Sequence, residues 1–94
     1  MSEPTVALEI PSLLADAVDG RTSLDVQPGD IAGVCREIRD RWPALATLVL
    51  TERNVLREHV LILLNGKVTR HLDGGNPPVT AGDKLAIVQA VSGG

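Results

Sequence analysis

The last two residues of the chain carry the group with the most distinctive chemistry. Gly93 and Gly94 place a free α-carboxylate directly after an apolar stretch, residues 84–92. A carboxylate is a poor electrophile until it is activated, for example as an acyl-adenylate formed with ATP. Glycine suits entry into another enzyme's nucleotide site, because a residue without Cβ passes a narrow channel and adopts backbone angles closed to other residues. Exchange of one carboxyl oxygen for sulfur would then give a thiocarboxylate, which is a soft nucleophile.

The other reactive side chains lack partners at a useful spacing. His59 and His71 have no second histidine at metal-ligand spacing, and Cys35 is the single cysteine, so it forms neither an internal disulfide nor a metal site. Asp73 and Asp83 lie in turn sequences, where aspartate favours hydrogen bonds to its own backbone. The sequence therefore predicts no catalytic site, no metal and no bound cofactor, and it makes Cys35 a small core residue.

Composition excludes several classes of protein. The chain has 94 residues, a net charge of -3 and a single aromatic residue, Trp42, so Val, Leu, Ile and Ala must build one modest core. The acidic balance argues against nucleic acid, which requires clustered Lys and Arg and aromatic stacking platforms. No secretory signal and no apolar run of about 20 residues is present. We therefore expect a cytoplasmic protein that binds no membrane.

The first half of the chain predicts two strands and a helix. Residues 5–10 alternate between apolar and polar types, as in a half-buried strand, and residues 21–27 do the same after a long connection. Asp30 is a typical N-cap for the apolar stripe that follows over residues 31–42. Pro43 is expected to end this helix, because the residue before a proline resists helical angles.

Residues 44–58 form the least periodic section. Three interpretations remain open: a plain surface loop, a mobile insertion that binds a partner, or a cover for one face of the sheet. A helical turn at residues 44–48 is compatible with the pattern. We favour the surface loop.

A hairpin is the clearest local signal in the second half. Five apolar residues, Val60–Leu64, are followed by Asn65-Gly66, which fits the two positive φ angles of a type I′ turn, and by a returning strand at residues 67–70. Residues 72–80 are predicted to be a loop, and the last strand starts at Lys84. This order of elements predicts an α+β domain over residues 1–90, with a flexible tail at residues 91–94.

Strand alternation predicts which side chains leave the core. Leu85 and Ile87 point to one side of the last strand, and Val60, Ile62 and Leu64 point to one side of the hairpin strand. If these pack under the helix, an apolar patch on the other face marks a partner site. The residues expected in that docking site are Leu61, Leu63, Ala86 and Val88, continued by the small tail residues Ala90, Val91 and Ser92.

Several of these features together resemble the MoaD/ThiS family of sulfur carriers. They are the order of elements, Asn65-Gly66 with Arg70 after it, Gly82-Asp83 before the last strand, and residues 89–94. The resemblance implies a ubiquitin-like β-grasp fold, with a mixed four- to five-stranded sheet and one main helix packed on one face. It also implies that an E1-like adenylyltransferase and sulfurtransferase uses ATP to adenylate Gly94, the second residue of the Gly93-Gly94 tail.

The same resemblance implies the next step and its partners. The thiocarboxylate on Gly94 would donate sulfur to a synthase, so the chain is a protein cosubstrate, or a synthase small subunit, and not an enzyme by itself. Cysteine biosynthesis or another sulfur-containing metabolite is favoured, through a cysteine synthase-like acceptor. The molybdopterin synthase large subunit comes next and a thiazole synthase-like acceptor last. Gln89 stands where the family commonly has proline, so this position does not indicate to which branch of the family the chain belongs.

A different class of function is the alternative. The chain would then be a non-catalytic β-grasp interaction module whose C-terminus stays unmodified. Pathway, sulfur source and oligomeric state are not specified by the sequence.

Overall fold

A mixed five-stranded sheet forms the centre of the computed structural model, which describes residues 4–89. The described residues form seven strands, five of them in this sheet. The strands are β1 (Val6–Glu9), β2 (Ser23–Val26), β3 (Gly29–Asp30), β4 (Val60–Leu64), β5 (Lys67–Val68), β6 (Pro78–Val79) and β7 (Lys84–Gln89). The helices are α1 (Ile31–Arg41) and α2 (Pro43–Val49), with 3-10 turns at Ser12–Val18, Thr69–His71 and Asp73–Gly75.

The last strand lies in the middle of the sheet. The strand order is β2-β1-β7-β4-β5, in which β7 runs parallel to β1 and antiparallel to β4. The β4–β7 ladder runs from the pair Val60 and Gln89 to the pair Leu64 and Leu85. The predicted α+β class is confirmed. The strands predicted at residues 5–10 and 21–27 are present in shorter form, and the tail predicted at residues 91–94 lies outside the described residues.

Two side chains cap the start of α1. The Asp30 carboxylate accepts a hydrogen bond from the Gly33 amide at 2.7 Å, as predicted. Asn76, from the predicted loop, accepts the Ala32 amide at 2.8 Å and donates to Asp30 at 3.1 Å. Two of the otherwise unpaired amides at the helix start are thereby satisfied. The long connection after β5 is thus attached to the helix it crosses.

The segment 44–58, for which a surface loop was favoured, begins with a helix, and the helical turn considered at residues 44–48 is part of α2. Pro43 ends α1 but also begins α2, because proline's missing amide and fixed φ are tolerated in the first turn of a helix. Leu45, Ala46 and Val49 of α2 are fully buried in the core, on the same side of the sheet as α1. The segment therefore completes the helical layer and, among residues 4–89, leaves the opposite face of the sheet without a covering layer.

The rest of that segment contains a turn, residues 51–54, that is hydrogen-bonded to α1. Arg39 donates from Nε to the Asn54 side chain and from an Nη to the Thr51 carbonyl, both at 2.8 Å. Arg39 is half-buried, so the charged residues of α1 are not all fully solvated.

The predicted hairpin is confirmed, with a shorter second strand. Asn65 and Gly66 have φ angles of 51° and 87°, both positive as a type I′ turn requires. The returning strand ends at Val68 and not at Arg70. There the side chains of Thr69 and Arg70 donate to the carbonyls of Ile62 and Val60, at 2.9 and 3.4 Å, and replace a backbone ladder. The predicted loop 72–80 contains β6, which pairs with β3.

A polar junction joins the hairpin turn to the start of β7. The Asn65 backbone amide donates to the Lys84 carbonyl at 2.8 Å, and its side chain accepts the Lys84 amide at 2.9 Å. Asp83 accepts from the Asn65 side chain at 3.0 Å and from the Thr80 amide at 2.8 Å. These bonds, led by the one from the Thr80 amide, lower the pKa of Asp83 from its usual 3.8.

Leu85→Ala should destabilise the domain far more than Val88→Ala, although both residues lie on β7. Leu85 is fully buried, so its truncation leaves a cavity and is expected to cost about 2–5 kcal/mol. Val88 is 37% exposed and should cost about 1 kcal/mol or less. Urea unfolding of the two variants measures the difference, and equal midpoints would contradict the assigned faces of the strand.

The polar junction should weaken in acid. Because the folded-state pKa of Asp83 lies below its unfolded value, its stabilisation is present above pH 3.8 and is lost as the pH falls through the folded pKa. Urea midpoints measured from pH 7 to pH 2 should therefore fall less steeply in Asp83→Asn than in the parent, below about pH 4. Exposed Asp16, in the first 3-10 turn, supplies the control variant Asp16→Asn, which should follow the parent curve. A parent-like acid slope in Asp83→Asn would refute the assignment.

Candidate docking face

Four apolar side chains meet on the face of the sheet opposite the helices. In the register of β4 and β7, Leu61 lies opposite Val88 and Leu63 lies opposite Ala86. Directly paired residues of an antiparallel ladder point to the same side. Their neighbours along the strands, such as Leu85, are buried in the core instead. The structure thus brings together the four side chains that the sequence placed on one face. We call these four the outer apolar face.

The outer apolar face is partly exposed to solvent, and no other described element covers it. Leu61, Leu63 and Ala86 are half-buried by one another, and Val88 is 37% exposed. Neither α1 nor α2 covers them, because the buried side chains of both helices join the core on the other side. Solvent-exposed apolar side chains grouped in this way are the usual mark of a binding surface.

The neighbouring strands give this face one apolar and one charged border. Val68 of β5 pairs with Leu63 and is half-buried. On the other side, Glu9 of β1 pairs with Ala86, and its carboxylate lies 3.6 Å from the Lys84 ammonium. Both charged side chains are more than half exposed, so this ion pair contributes little to stability. An apolar centre with a charged rim is the common composition of a protein interface.

Val68 and Glu9 were not in the predicted site. The alternation of residues 5–10 already assigns Glu9 to the face opposite Leu8. What the sequence does not contain is the parallel pairing of β1 with β7, which sets Glu9 beside Ala86. That contact joins residues far apart in the chain and has no local signal.

The outer apolar face includes residues of β7, the strand that precedes the tail in the sequence. β7 ends at Gln89, which pairs with Val60 at the first position of β4. The predicted site residues Ala90, Val91, Ser92, Gly93 and Gly94 lie outside the described residues.

The side chains considered for catalysis differ in their exposure to solvent. Cys35 is buried, and that burial raises the pKa of its thiol to about 11, so it stays protonated at neutral pH. His59 and His71 are exposed. Within residues 4–89, no group of three or more His, Cys, Asp and Glu side chains is placed to hold a metal ion. Over the same range, no helix has the length and hydropathy needed to cross a bilayer.

The sequence of residues 12–94 matches the ThiS family. The chain belongs to this family. No curated protein sequence matches the chain. The matched range begins just after β1 and runs through both terminal glycines.

Solved structures agree with this assignment. A chain of the Amycolatopsis orientalis BexX/CysO complex is similar, with 24% identity, a TM-score of 0.81 and coverage of 95% of this chain and 99% of that one. CysO from Mycobacterium tuberculosis has 20% identity and a TM-score of 0.79, covering 92% and 99% of the two chains. Small archaeal modifier protein 1 from Methanosarcina acetivorans has 25% identity and a TM-score of 0.81, covering 100% of both.

These similarities identify the architecture as a ubiquitin-like β-grasp. The expected mixed sheet with helices on one face is confirmed, with the correction that α2 accompanies the one main helix that was predicted. The chain is therefore a small ubiquitin-like protein of the sulfur-carrier type.

Proposed function

We propose that the chain is a sulfur carrier whose C-terminal carboxylate, on Gly94, is converted to a thiocarboxylate. The observation that carries this proposal is the family match, which extends through Gly93 and Gly94. The tail has a composition that suits entry into an enzyme's active site, because its last two residues lack side chains.

The described fold supports the proposal by the position of β7. This strand is held on both sides, by β1 and by β4, and it also contributes Ala86 and Val88 to the outer apolar face. A partner that docks on this face therefore contacts the same strand that leads to the tail. Because the strand is fixed in the sheet, docking would also direct the tail toward the partner's active site.

The proposed chemistry has two steps. First, a carboxylate oxygen of Gly94 attacks the α-phosphorus of ATP, which releases pyrophosphate and forms an acyl-adenylate. Then hydrosulfide attacks the acyl carbon, AMP leaves with the former carboxylate oxygen, and loss of the proton gives the thiocarboxylate. Both steps occur in the active site of an E1-like activating enzyme. The carrier supplies the reacting group but no catalytic residue and no bound cofactor, so it acts as a cosubstrate.

The acceptor would be a synthase that takes the sulfur from the thiocarboxylate. A cysteine synthase-like enzyme, or one that makes another sulfur-containing metabolite, is our first choice. It rests on the length of the chain and on the long segment 44–58, which resemble MoaD-type carriers more than the shorter carriers of thiazole synthesis. A molybdopterin synthase large subunit is the next candidate.

A second candidate function uses the same activated carboxyl group. The archaeal relative with 25% identity is named a small modifier protein. In a modifier, a lysine amine would attack the acyl carbon of the acyl-adenylate, or of a thioester formed from it with an enzyme thiol. AMP or the thiol would leave, and an isopeptide bond would form instead of a thiocarboxylate. Both functions begin with adenylation of Gly94.

Incubation with ATP, sulfide and a cognate activating enzyme should change the intact mass of the protein. We expect an increase equal to the difference between one sulfur and one oxygen atom, and no increase in a variant that lacks Gly94. The truncated variant should keep the parent's urea midpoint, because β7 ends at Gln89. If the parent never gains sulfur, the carrier function is wrong. Sulfur gained by the truncated variant would overturn the assignment of Gly94.

Leu63→Asp should weaken binding of the activating enzyme by about tenfold or more, because it places a carboxylate at the centre of the outer apolar face. Leu13→Asp is the matched control. Leu13 is 83% exposed, but it lies in the 3-10 turn Ser12–Val18, outside that face. Titration calorimetry on folded proteins compares the two, and equal losses, or none for Leu63→Asp, would remove the docking role from the face.

A further inference from the structure

The helical side of the molecule contains an open cavity of about 470 Å³. It lies between the start of α1, the turn after α2 and the connection after β5. Its apolar lining comes from Ile31, Ala32, Cys35, Val55 and Leu56. Cavities that bind small molecules commonly have volumes of about 300–1,000 Å³ and such an apolar lining. Val55, at 59% exposure, marks the open side.

Composition explains why the protein leaves this space unfilled. The chain contains no Phe and no Tyr, and its one Trp is Trp42, which is not part of the cavity lining. The apolar residues around the cavity are aliphatic or small, and Gly75 contributes no side chain to its wall. A flat aromatic ring would therefore find both the volume and the apolar contacts that the chain's own residues do not supply.

Among the described residues of the lining, Arg70 is the one that carries a charge. The Thr69 hydroxyl donates to Ile62, and the Asn76 and Asn54 side chains are hydrogen-bonded to α1. Arg70 differs from these. Within residues 4–89, its guanidinium makes one hydrogen bond, a long one of 3.4 Å to the Val60 carbonyl. A guanidinium has five N–H donors in a planar fork, which suits a carboxylate or a sulfonate and also stacks on aromatic rings.

From this combination we propose that the cavity is a binding site for a small organic anion with a flat apolar body, such as an aryl carboxylate or sulfonate. The ring occupies the space over Cys35 and Leu56, and the Arg70 guanidinium holds the anionic group at the rim. The cavity lies on the helical side of the sheet, away from the outer apolar face. Ligand binding and partner docking therefore use different surfaces, and this site does not depend on the proposed sulfur chemistry.

The probe for this site is 1-anilinonaphthalene-8-sulfonate, added to the folded full-length protein. We expect saturable binding of one equivalent, with a dissociation constant on the order of tens of micromolar. Arg70→Gln should weaken binding about tenfold, since a charge-assisted hydrogen bond is lost. The same substitution should change the binding of the uncharged analogue N-phenyl-1-naphthylamine little. The matched control is Arg53→Gln, an exposed arginine outside the cavity, which should bind the sulfonate as the parent does.

A second variant keeps the test independent of Arg70's structural bond to Val60. Ala32→Leu adds side-chain volume at the cavity wall and should abolish binding of both probes without a loss of stability. Amide chemical shifts of the parent should change on binding at residues 31–35, 54–56 and 69–76. Shifts confined to the outer apolar face, non-saturable binding, or equal losses in Arg70→Gln and Arg53→Gln would each overturn the proposal.

Discussion

The pairing of β7 with two neighbours at once is the interaction on which the rest of the structure depends. It closes the sheet between the N-terminal strands and the hairpin. It also fixes the register of β7, because a slip by one residue would move Leu85 and Ile87 out of the core and Ala86 and Val88 into it. The burial of Leu85 and Ile87 therefore determines which side chains of β7 remain outside the core. The composition of the outer apolar face is a consequence of the same register.

The two sides of the sheet are built differently. On the helical side, α1 and α2 bury an aliphatic core, yet a chain without Phe or Tyr leaves a cavity between the helix start and the loops that cross it. On the other side there is no covering layer among residues 4–89, and half-buried aliphatic side chains meet solvent. The helical side thus supplies the stability of the domain, whereas the outer side is left free for contacts with other molecules.

The sequence correctly predicted the structural features that depend on residues close together in the chain. The Asn65-Gly66 turn, the Asp30 cap and the alternation of β7 each follow from a few adjacent residues, and so did the outer apolar face. Pro43 ends α1 as predicted, but proline can also begin a helix, and the short apolar run after it lacks a clear polar face to show its period, so a loop was favoured there. The cap from Asn76 and the pairing of Glu9 with Ala86 join distant segments, so no local pattern contains them.

A central strand formed from the last part of the chain has a consequence for biosynthesis. Since translation proceeds from the N-terminus, β1 and β4 exist before the strand that joins them, and until residues 84–89 appear each has an unpaired edge. The native contacts of β1 with β7 are also among the most distant in the chain, which slows their formation. A nascent chain would thus complete its sheet only after residues 84–89 have been made. An incomplete chain would be recognisable to chaperones and proteases by its open strands.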